Sequence, residues 1–242
     1  MVVEAGIATF TFVLALFLFK KKPSIPPSPA AMLDRVGFCQ SLKIMFTSCN
    51  FLILTLSVFC SDGALNSFTA VIEEIFSHYD YPDTHSYTSL VSLLLFAIGF
   101  VSSLIIAVIA DKTKKLKLLL IITNVFSTAS IGLFTWFVGL RNKLLSGAMC
   151  CLYGCFNIAT VPLALEIGSE ITYPVGESNS SGVIMTAAQL AAIVLTYTTS
   201  ALFDSSSFES TKSANISNLI SFGLSCLGIL AAVLVKGEDF SL

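Results

Sequence analysis

Apolar residues occur along the chain in long runs that predict a series of transmembrane helices. Short polar segments divide these runs into seven stretches. They are Ala5 to Phe19, Ile44 to Phe59 with a polar-broken extension toward Phe76, Thr88 to Ala110, Leu118 to Leu140, Leu144 to Gly168, Val183 to Phe203, and Ile216 to Val235. Five of the seven reach the roughly 20 residues that a helix needs to cross about 30 Å of hydrocarbon. The pattern therefore predicts an all-α membrane protein.

The composition supports this interpretation, because the chain has too few charges to cover a water-soluble surface. Of its 242 residues, 55% are hydrophobic and 12% are charged, whereas a soluble domain has about 25% charged residues. The spare apolar surface is expected to face lipid. The net charge is −2 and the basic residues form small clusters, so the broad basic face that nucleic acid requires is missing. We expect lipid contacts and no nucleic-acid partner.

The distribution of Lys and Arg predicts the orientation, because these residues concentrate on the cytoplasmic side of a membrane. A cytoplasmic C-terminus places ten of them inside and three outside. Those inside are Lys20, Lys21, Lys22, Arg35, Lys43, Lys112, Lys114, Lys115, Lys117 and Lys236, and those outside are Arg141, Lys143 and Lys212. Seven crossings then place Met1 outside.

An inward helix, a linker and six helices that end inside have the layout of the second half of a twelve-helix carrier. On this interpretation residues 1–19 are the last helix of a truncated N-terminal half, and residues 20–43 are a cytoplasmic, proline-rich linker. Residues 44–235 form a six-helix transporter bundle, and residues 236–242 form a cytoplasmic tail. The missing N-terminal half of the carrier is then an expected partner.

The polar segment between the third and fourth stretches resembles a family signature. It reads AVIADKTKK from Ala107 to Lys115 and is similar to the cytoplasmic signature of the major facilitator superfamily, roughly G-x-L-A-D-K/R-x-G-R/K-R/K. Asp111, Lys112 and Lys115 are in register with the signature, whereas Ala107 and Lys114 replace its two glycines. The resemblance implies a charged latch that is made and broken as two halves rock. Plain anchoring by cytoplasmic cations is the alternative.

A second segment, VPLALEIGSEITYPVGESNSSG from Val161 to Gly182, resembles the feline leukaemia virus subgroup C receptor-related carriers. A similar helix end in that family reads much like L-P-L-G-F-E-x-x-x-E-I-T-Y-P-x-x-E-G-T-S-S-G. The residues that keep the pattern are Pro162, Leu163, Glu166, Glu170, Ile171, Thr172, Tyr173, Pro174, Glu177, Ser180, Ser181 and Gly182. The resemblance implies the C-terminal six-helix bundle of a major facilitator carrier plus one preceding transmembrane helix.

That resemblance also implies a function. Members of the family move choline and ethanolamine, and they have been associated with haem transport. We expect a multi-pass carrier of choline- or ethanolamine-like organic cations that works by alternating access, with the plasma membrane as its location. Haem transport remains an alternative, as does a truncated, non-transporting membrane receptor or partner.

Three polar residues inside the apolar stretches are candidates for solute binding. Gln189 aligns with a run of the family that ends in S-A-Q, although an amide there could also serve only helix packing. Asp62 follows Ser61 and precedes Gly63 at a predicted break in its helix. If that helix starts near Asn50, Asp62 lies at mid-depth and suits an organic cation. If the helix starts near Ile44, Asp62 meets outside water.

Asn66 marks a departure from the family, whose choline-binding members have a tyrosine at this position. An aromatic face attracts a quaternary ammonium group, so its loss puts choline in doubt. An asparagine can still form a hydrogen bond with a primary amine, and ethanolamine-like solutes stay open.

The remaining acids are assigned to a cytoplasmic gate rather than to the solute. Glu166 and Glu170 are four residues apart and therefore share one helix face. With Glu177, Asp111, Lys112 and Lys115 they form the predicted gate. His78 and His85 flank an outside loop, where they are expected to face solvent rather than haem iron.

No motif indicates an enzyme or a resident cofactor. The sequence contains no HExxH pair, no Gly-x-Ser-x-Gly elbow and no P-loop. Cys150, Cys151 and Cys155 lie close together but have no neighbouring His or further Cys for a tetrahedral metal site. We therefore expect no catalytic activity, no metal and no cofactor.

Overall fold

The computed structural model describes residues 2–18, 37–79, 83–204 and 210–236, which form eight α-helices. The helices are α1 (Val2–Leu18), α2 (Phe38–Thr47), α3 (Cys49–His78), α4 (Thr84–Thr113), α5 (Leu116–Gly139), α6 (Lys143–Ile171), α7 (Glu177–Asp204) and α8 (Ser210–Leu234). Six of them, α3 to α8, are long and apolar enough to cross a membrane, and α1 contains a shorter apolar segment from Ala5 to Phe17. This confirms the predicted all-α membrane architecture.

The chain divides into two compact units, at residues 1–35 and 36–242. In the first unit the described part is the apolar helix α1. The second unit contains α2 and the six long helices. Helix α2 begins at Phe38, so the last residues of the predicted linker segment 20–43 are helical. Most of that segment lies outside the described residues.

Two helices form the centre of the six-helix bundle. Helix α3 packs mainly against α7 and α8, and α6 packs mainly against α4 and α5, while contacts of α5 with α8 and of α3 with α6 close the bundle. The start of α3 and the end of α8 lie together, since the backbone N–H of Lys236 donates to Asn50 Oδ1 at 3.4 Å. Successive helices therefore alternate in direction between two ends.

The basic residues differ between these two ends. The end that contains Asn50 and Lys236 also holds the α4–α5 turn, and its described cations are Lys43, Lys112, Lys114, Lys115, Lys117 and Lys236. We call this the basic end. At the opposite end the described cations are Arg141 and Lys143, in the α5–α6 turn.

The predicted polar break in the second apolar stretch is wrong, because α3 runs without interruption from Cys49 to His78. Its polar side chains bond back to their own helix. Ser61 Oγ donates to the carbonyl of Ser57 at 2.9 Å, and Asn66 Nδ2 donates to the carbonyl of Asp62 at 2.9 Å. Such bonds satisfy polar groups inside an apolar helix without opening it.

The interior of the bundle is apolar toward both ends and polar in the middle. One buried cluster at the basic end includes Leu54, Leu120 and Leu163, and another toward the opposite end includes Phe68 and Phe134. The residues between them on α3, α5, α6 and α8 are buried and polar. We call this set the polar layer: Ser61, Asp62, Thr123, Asn124, Ser127, Thr128, Asn157, Thr160, Ser221 and Ser225. Without water in the hydrocarbon, these groups must find partners inside the protein.

Candidate solute site

Asp62 lies near the middle of a long helix rather than at its end. It is the 14th of the 30 residues of α3, a helix about 45 Å long at 1.5 Å per residue. Because α3 begins at Cys49, the structure agrees with the alternative in which Asp62 lies at mid-depth. The residue is 7% exposed, so its carboxyl group is largely withdrawn from the surface.

Asn66 lies one turn farther along α3 and contacts the Asp62 carboxyl group. Its Nδ2 atom donates to Asp62 Oδ2 at 3.0 Å as well as to the Asp62 carbonyl at 2.9 Å. Both hydrogen bonds of the amide nitrogen are therefore directed at Asp62. The two residues form one polar unit, the Asp62–Asn66 pair.

The Asp62–Asn66 pair lines an open cavity of about 390 Å³ between α3, α4 and α6. The other walls are Leu65, Phe96, Ser103, Ile158, Val161 and Pro162. None of these residues is a cation, and Phe96 is the one aromatic residue among them. The cavity therefore offers a buried carboxylate surrounded by apolar walls.

Pro162 interrupts the backbone hydrogen bonding of α6 where that helix lines the cavity. It lies inside α6 and has no N–H group, so the carbonyl of Ile158 loses the hydrogen bond that residue 162 would donate in a regular helix. Both residues line the cavity. The proline thus leaves one backbone hydrogen bond of α6 unmade in the part of the helix that lines the cavity.

A second groove continues from Pro162 toward the basic end. It has a volume of about 570 Å³, and Glu166, Glu170 and Glu177 lie in its wall with Pro162, Leu165 and Ser169. All three acids are exposed. The structure therefore brings together the three glutamates that the sequence assigned to the gate. Lys114 in the α4–α5 turn is close enough to Glu170 to interact electrostatically.

Comparison with known proteins explains this architecture. A sequence model of the Major Facilitator Superfamily matches residues 1–196, which is most of the chain. The chain belongs to the Major Facilitator Superfamily. Its relatives in that superfamily include the feline leukaemia virus subgroup C receptor-related carriers, as the segment from Val161 to Gly182 predicted.

Three relatives illustrate the similarity. The choline/ethanolamine transporter FLVCR1 of Mus musculus is 30% identical over 198 residues, which cover 79% of this chain and 35% of the relative. FLVCR1 of Felis catus is 28% identical over 240 residues, which cover 97% of this chain and 42% of the relative. An MFS-type transporter of Caenorhabditis elegans is 29% identical over 200 residues, which cover 80% and 34%. The chain thus spans between a third and a half of the length of these relatives.

The superfamily signature lies where α4 turns into α5. Lys114 ends α4 with φ 54° and ψ 18°, and its backbone N–H donates to the Ala110 carbonyl at 2.8 Å. This left-handed conformation suits glycine, which the signature has at this position. Asp111, Lys112 and Lys115 are exposed, and no ion pair within 4 Å joins them to other described residues. The charged latch stays a prediction.

Replacing Lys114 by glycine is expected to stabilise this superfamily member by about 0.5–1 kcal/mol, because the left-handed conformation is unfavourable for a side chain with a Cβ atom. The loss of the contact with Glu170 matters little, since that carboxyl group is exposed. Melting temperatures of the detergent-solubilised protein measure the effect.

The matched control is Lys112→Gly, which removes the same charge from the last turn of α4. Glycine is unfavourable in a helix by about 1 kcal/mol, so this variant is expected to melt earlier. Equal shifts in the same direction for both variants would contradict the role of the backbone at Lys114.

Gln189 does not join the Asp62–Asn66 pair in the cavity. Ala191 of α7 packs against Gly63 of α3 so closely that a Cβ atom added to Gly63 would overlap the Ala191 methyl group. Gln189, two residues before Ala191, therefore lies at a level of the bundle similar to that of Asp62. The side chain of Gln189 is nevertheless exposed, whereas Ala188 and Ala191 are buried. Gln189 could therefore contact a solute only from a different face of the bundle.

The sequence interpretation missed Asn157 on α6. This residue is 1% exposed, and its Nδ2 atom donates at 3.1 Å both to the Ser61 carbonyl and to Ser127 Oγ. It therefore joins α3, α5 and α6 at Ser61, the residue that precedes Asp62. Its amide oxygen is buried without a partner among the described residues. Asn157, like Gln189, is an amide inside an apolar stretch, so the criterion that singled out Gln189 could also have identified Asn157 from the sequence.

His78 and His85 lie away from the cavity, at the end opposite to the basic end. The Nδ1 atom of His78 lies 2.7 Å from the Glu74 carbonyl, and that of His85 lies 2.5 Å from Glu73 Oε1. The His85 ring is exposed, whereas His78 is partly buried and its ring meets that of Phe203 edge-on. Local contacts thus account for both residues.

Proposed function

We propose that this protein moves a small organic cation, of the choline or ethanolamine class, across a membrane by alternating access. The single observation that carries the proposal is the buried carboxyl group of Asp62, which lines an open cavity halfway along a transmembrane helix. Carboxylates are costly at this depth and usually serve a bound ion or a proton. The FLVCR1 relatives are choline/ethanolamine transporters, which supports this solute class.

The charge of the site favours a cation over an anion or a neutral solute. Asp62 has no basic neighbour in the cavity wall, so its negative charge would be balanced by the solute. Apolar walls would strengthen such an interaction once a second half of the carrier encloses the cavity and excludes water. Gln189, exposed on α7, is proposed to contact the solute only where a second half of the carrier faces that helix.

The second groove fits a gate on the path to the solute. It starts at Pro162, which also lines the cavity, and it leads past Glu166 and Glu170 to Glu177. We assign these acids, together with Asp111, Lys112 and Lys115, to a gate at the basic end. These charged groups would form and break contacts with the other half of the carrier as two six-helix halves rock about the cavity.

The charge difference between the two ends supports a cytoplasmic basic end. The C-terminus would then lie in the cytoplasm and Arg141 and Lys143 outside. We propose the plasma membrane as the location, in line with uptake of a solute from outside the cell. The cavity would be enclosed by a second six-helix half, as in other carriers of the superfamily.

Uptake measurements test the proposal. The product of the complete gene is expressed in cells with an epitope after its last residue, and uptake of labelled ethanolamine, choline and haem is compared with that of untransfected cells. We expect saturable uptake of at least one of the two amines and an epitope that antibodies reach only after permeabilisation. Uptake of haem alone, or of none of the three, would refute the proposal.

A further inference from the structure

We infer that the Asp62–Asn66 pair selects solutes whose ammonium group still carries N–H bonds and discriminates against quaternary ammonium. The inference rests on the proposed function and specifies its substrate. It follows from the hydrogen bonds that the pair makes and from those it leaves available. Charge alone would not discriminate, because primary and quaternary ammonium groups both carry one positive charge.

The first step concerns the orientation of the Asn66 amide. Its Nδ2 atom donates to the Asp62 carbonyl and to Asp62 Oδ2, at 2.9 and 3.0 Å. The hydrogen bonds of the nitrogen thus stay inside the pair, and the amide oxygen lies on the other side of the same planar group. That oxygen has no hydrogen-bond partner among the described residues. Asn66 therefore offers the solute an acceptor, not a donor.

The second step concerns the Asp62 carboxyl group. One oxygen accepts from Asn66, and the other has no partner among the described residues. It is not one of the fully enclosed atoms of the structure, and the residue lines the cavity. The pair thus leaves two acceptors, one on Asp62 and one on Asn66, on adjacent turns of α3.

The third step compares these acceptors with the needs of the two kinds of ammonium group. A group with at least two N–H bonds can donate to both acceptors, whereas a quaternary group can donate to neither. A quaternary group is instead held by the faces of several aromatic rings. Phe96 is the one aromatic residue in the wall, beside the aliphatic Leu65, Ile158 and Val161. An unpaired acceptor beside a bound quaternary group would lose its water without compensation.

Stepwise N-methylation of the solute tests the inference. Ethanolamine, N-methylethanolamine, N,N-dimethylethanolamine and choline have three, two, one and no N–H bonds, and each is used to compete with uptake of labelled ethanolamine by the product of the complete gene. We expect the first two to compete equally, because two N–H bonds satisfy both acceptors. The dimethyl compound is expected to compete about tenfold more weakly and choline about a hundredfold more weakly, at about tenfold per lost charge-assisted hydrogen bond.

A substitution at Asn66 gives a second and independent readout. Asn66→Phe replaces the acceptor by an aromatic face, so the preference is expected to move toward choline, with weaker competition by ethanolamine and stronger competition by choline. Choline that competes as well as ethanolamine in the unmodified protein would overturn the inference while leaving the proposed function intact. If neither labelled ethanolamine nor labelled choline is taken up, the proposed function fails as well, so the two failures are distinguishable.

Discussion

Asp62→Asn is expected to reduce uptake of the cationic solute by at least about 30-fold. Loss of one member of a buried, hydrogen-bonded charge pair costs about 2–5 kcal/mol of binding, and about 1.4 kcal/mol corresponds to tenfold. The substitution keeps the size of the side chain and its hydrogen bond with Asn66 Nδ2, which can reach the new amide oxygen. The loss would therefore reflect the missing charge. Initial rates of labelled ethanolamine uptake, normalised to surface expression, measure it.

The same variant is expected to be at least as stable as the unmodified protein. Asp62 is buried with no cation in the surrounding wall, and an acid in the middle of a transmembrane helix costs about 2.5–3.5 kcal/mol on insertion scales. An amide avoids much of this cost. A variant that melts later but transports less would separate a functional role of Asp62 from a structural one.

The matched control for Asp62→Asn is Glu73→Gln. Glu73 lies on the same helix and is half-exposed, where it contacts His85. The change is again from a carboxylate to an amide, but it lies outside the cavity and the second groove. We expect unchanged uptake. An equal loss in both variants, or normal uptake in Asp62→Asn, would exclude Asp62 from the solute site.

Gly154→Ala is expected to destabilise the protein by about 1–3 kcal/mol, the usual cost of overfilling a packed interface. Gly154 of α6 faces α4, and a Cβ atom there would lie 2.9 Å from the carbonyl oxygen of Leu95. At Gly99 of α4, a Cβ atom would lie 2.9 Å from the Gly154 carbonyl oxygen. The helices therefore approach so closely that a methyl group meets backbone, which cannot move aside as a side chain can.

This close approach also shapes the cavity. Phe96 and Ser103 flank Gly99 in α4, Ile158 and Val161 follow Gly154 in α6, and all four line the cavity. Separation of the two helices by an added methyl group is expected to lower uptake as well as the melting temperature. Both are measured on the same preparation of the product of the complete gene.

Gly223→Ala is the matched control for the glycine contact. Gly223 lies in α8, and no atom lies within 4 Å of the position that a Cβ atom would occupy. Alanine is favoured over glycine in a helix by about 0.5–1 kcal/mol, so this variant is expected to melt slightly later. The idea of a tight α4–α6 contact is rejected if Gly154→Ala behaves like Gly223→Ala.

The sequence predicted most of the fold because lipid imposes a simple rule on it. Long apolar runs can cross a membrane only as helices whose backbone groups are satisfied internally, so the runs from Thr88 to Ala110 and from Leu118 to Leu140 correspond to α4 and α5. The break predicted near Asp62 failed because polarity alone was taken to end a helix. Ser61 and Asn66 instead bond to carbonyls of their own helix.

The site was predicted only in part. Asp62 and Asn66 are four residues apart, a spacing that places them on one face of any helix, and the structure brings them together. Gln189 was a candidate for the same solute because it is polar and lies in an apolar stretch, but it is exposed and does not line that cavity. Periodicity places a residue on a face of its own helix and gives no information on which neighbour that face meets.

The sequence by itself determined the class of the protein, the positions of most of the long apolar helices and the end at which cations gather, because these depend on local composition and on the thickness of a bilayer. Tertiary structure alone decided that Phe96, Ile158 and Pro162 line the same cavity as Asp62 and that Asn157 bonds to the carbonyl of the preceding residue, Ser61. These contacts join helices far apart in sequence. They depend on how closely side chains and backbones fit, which no single segment encodes.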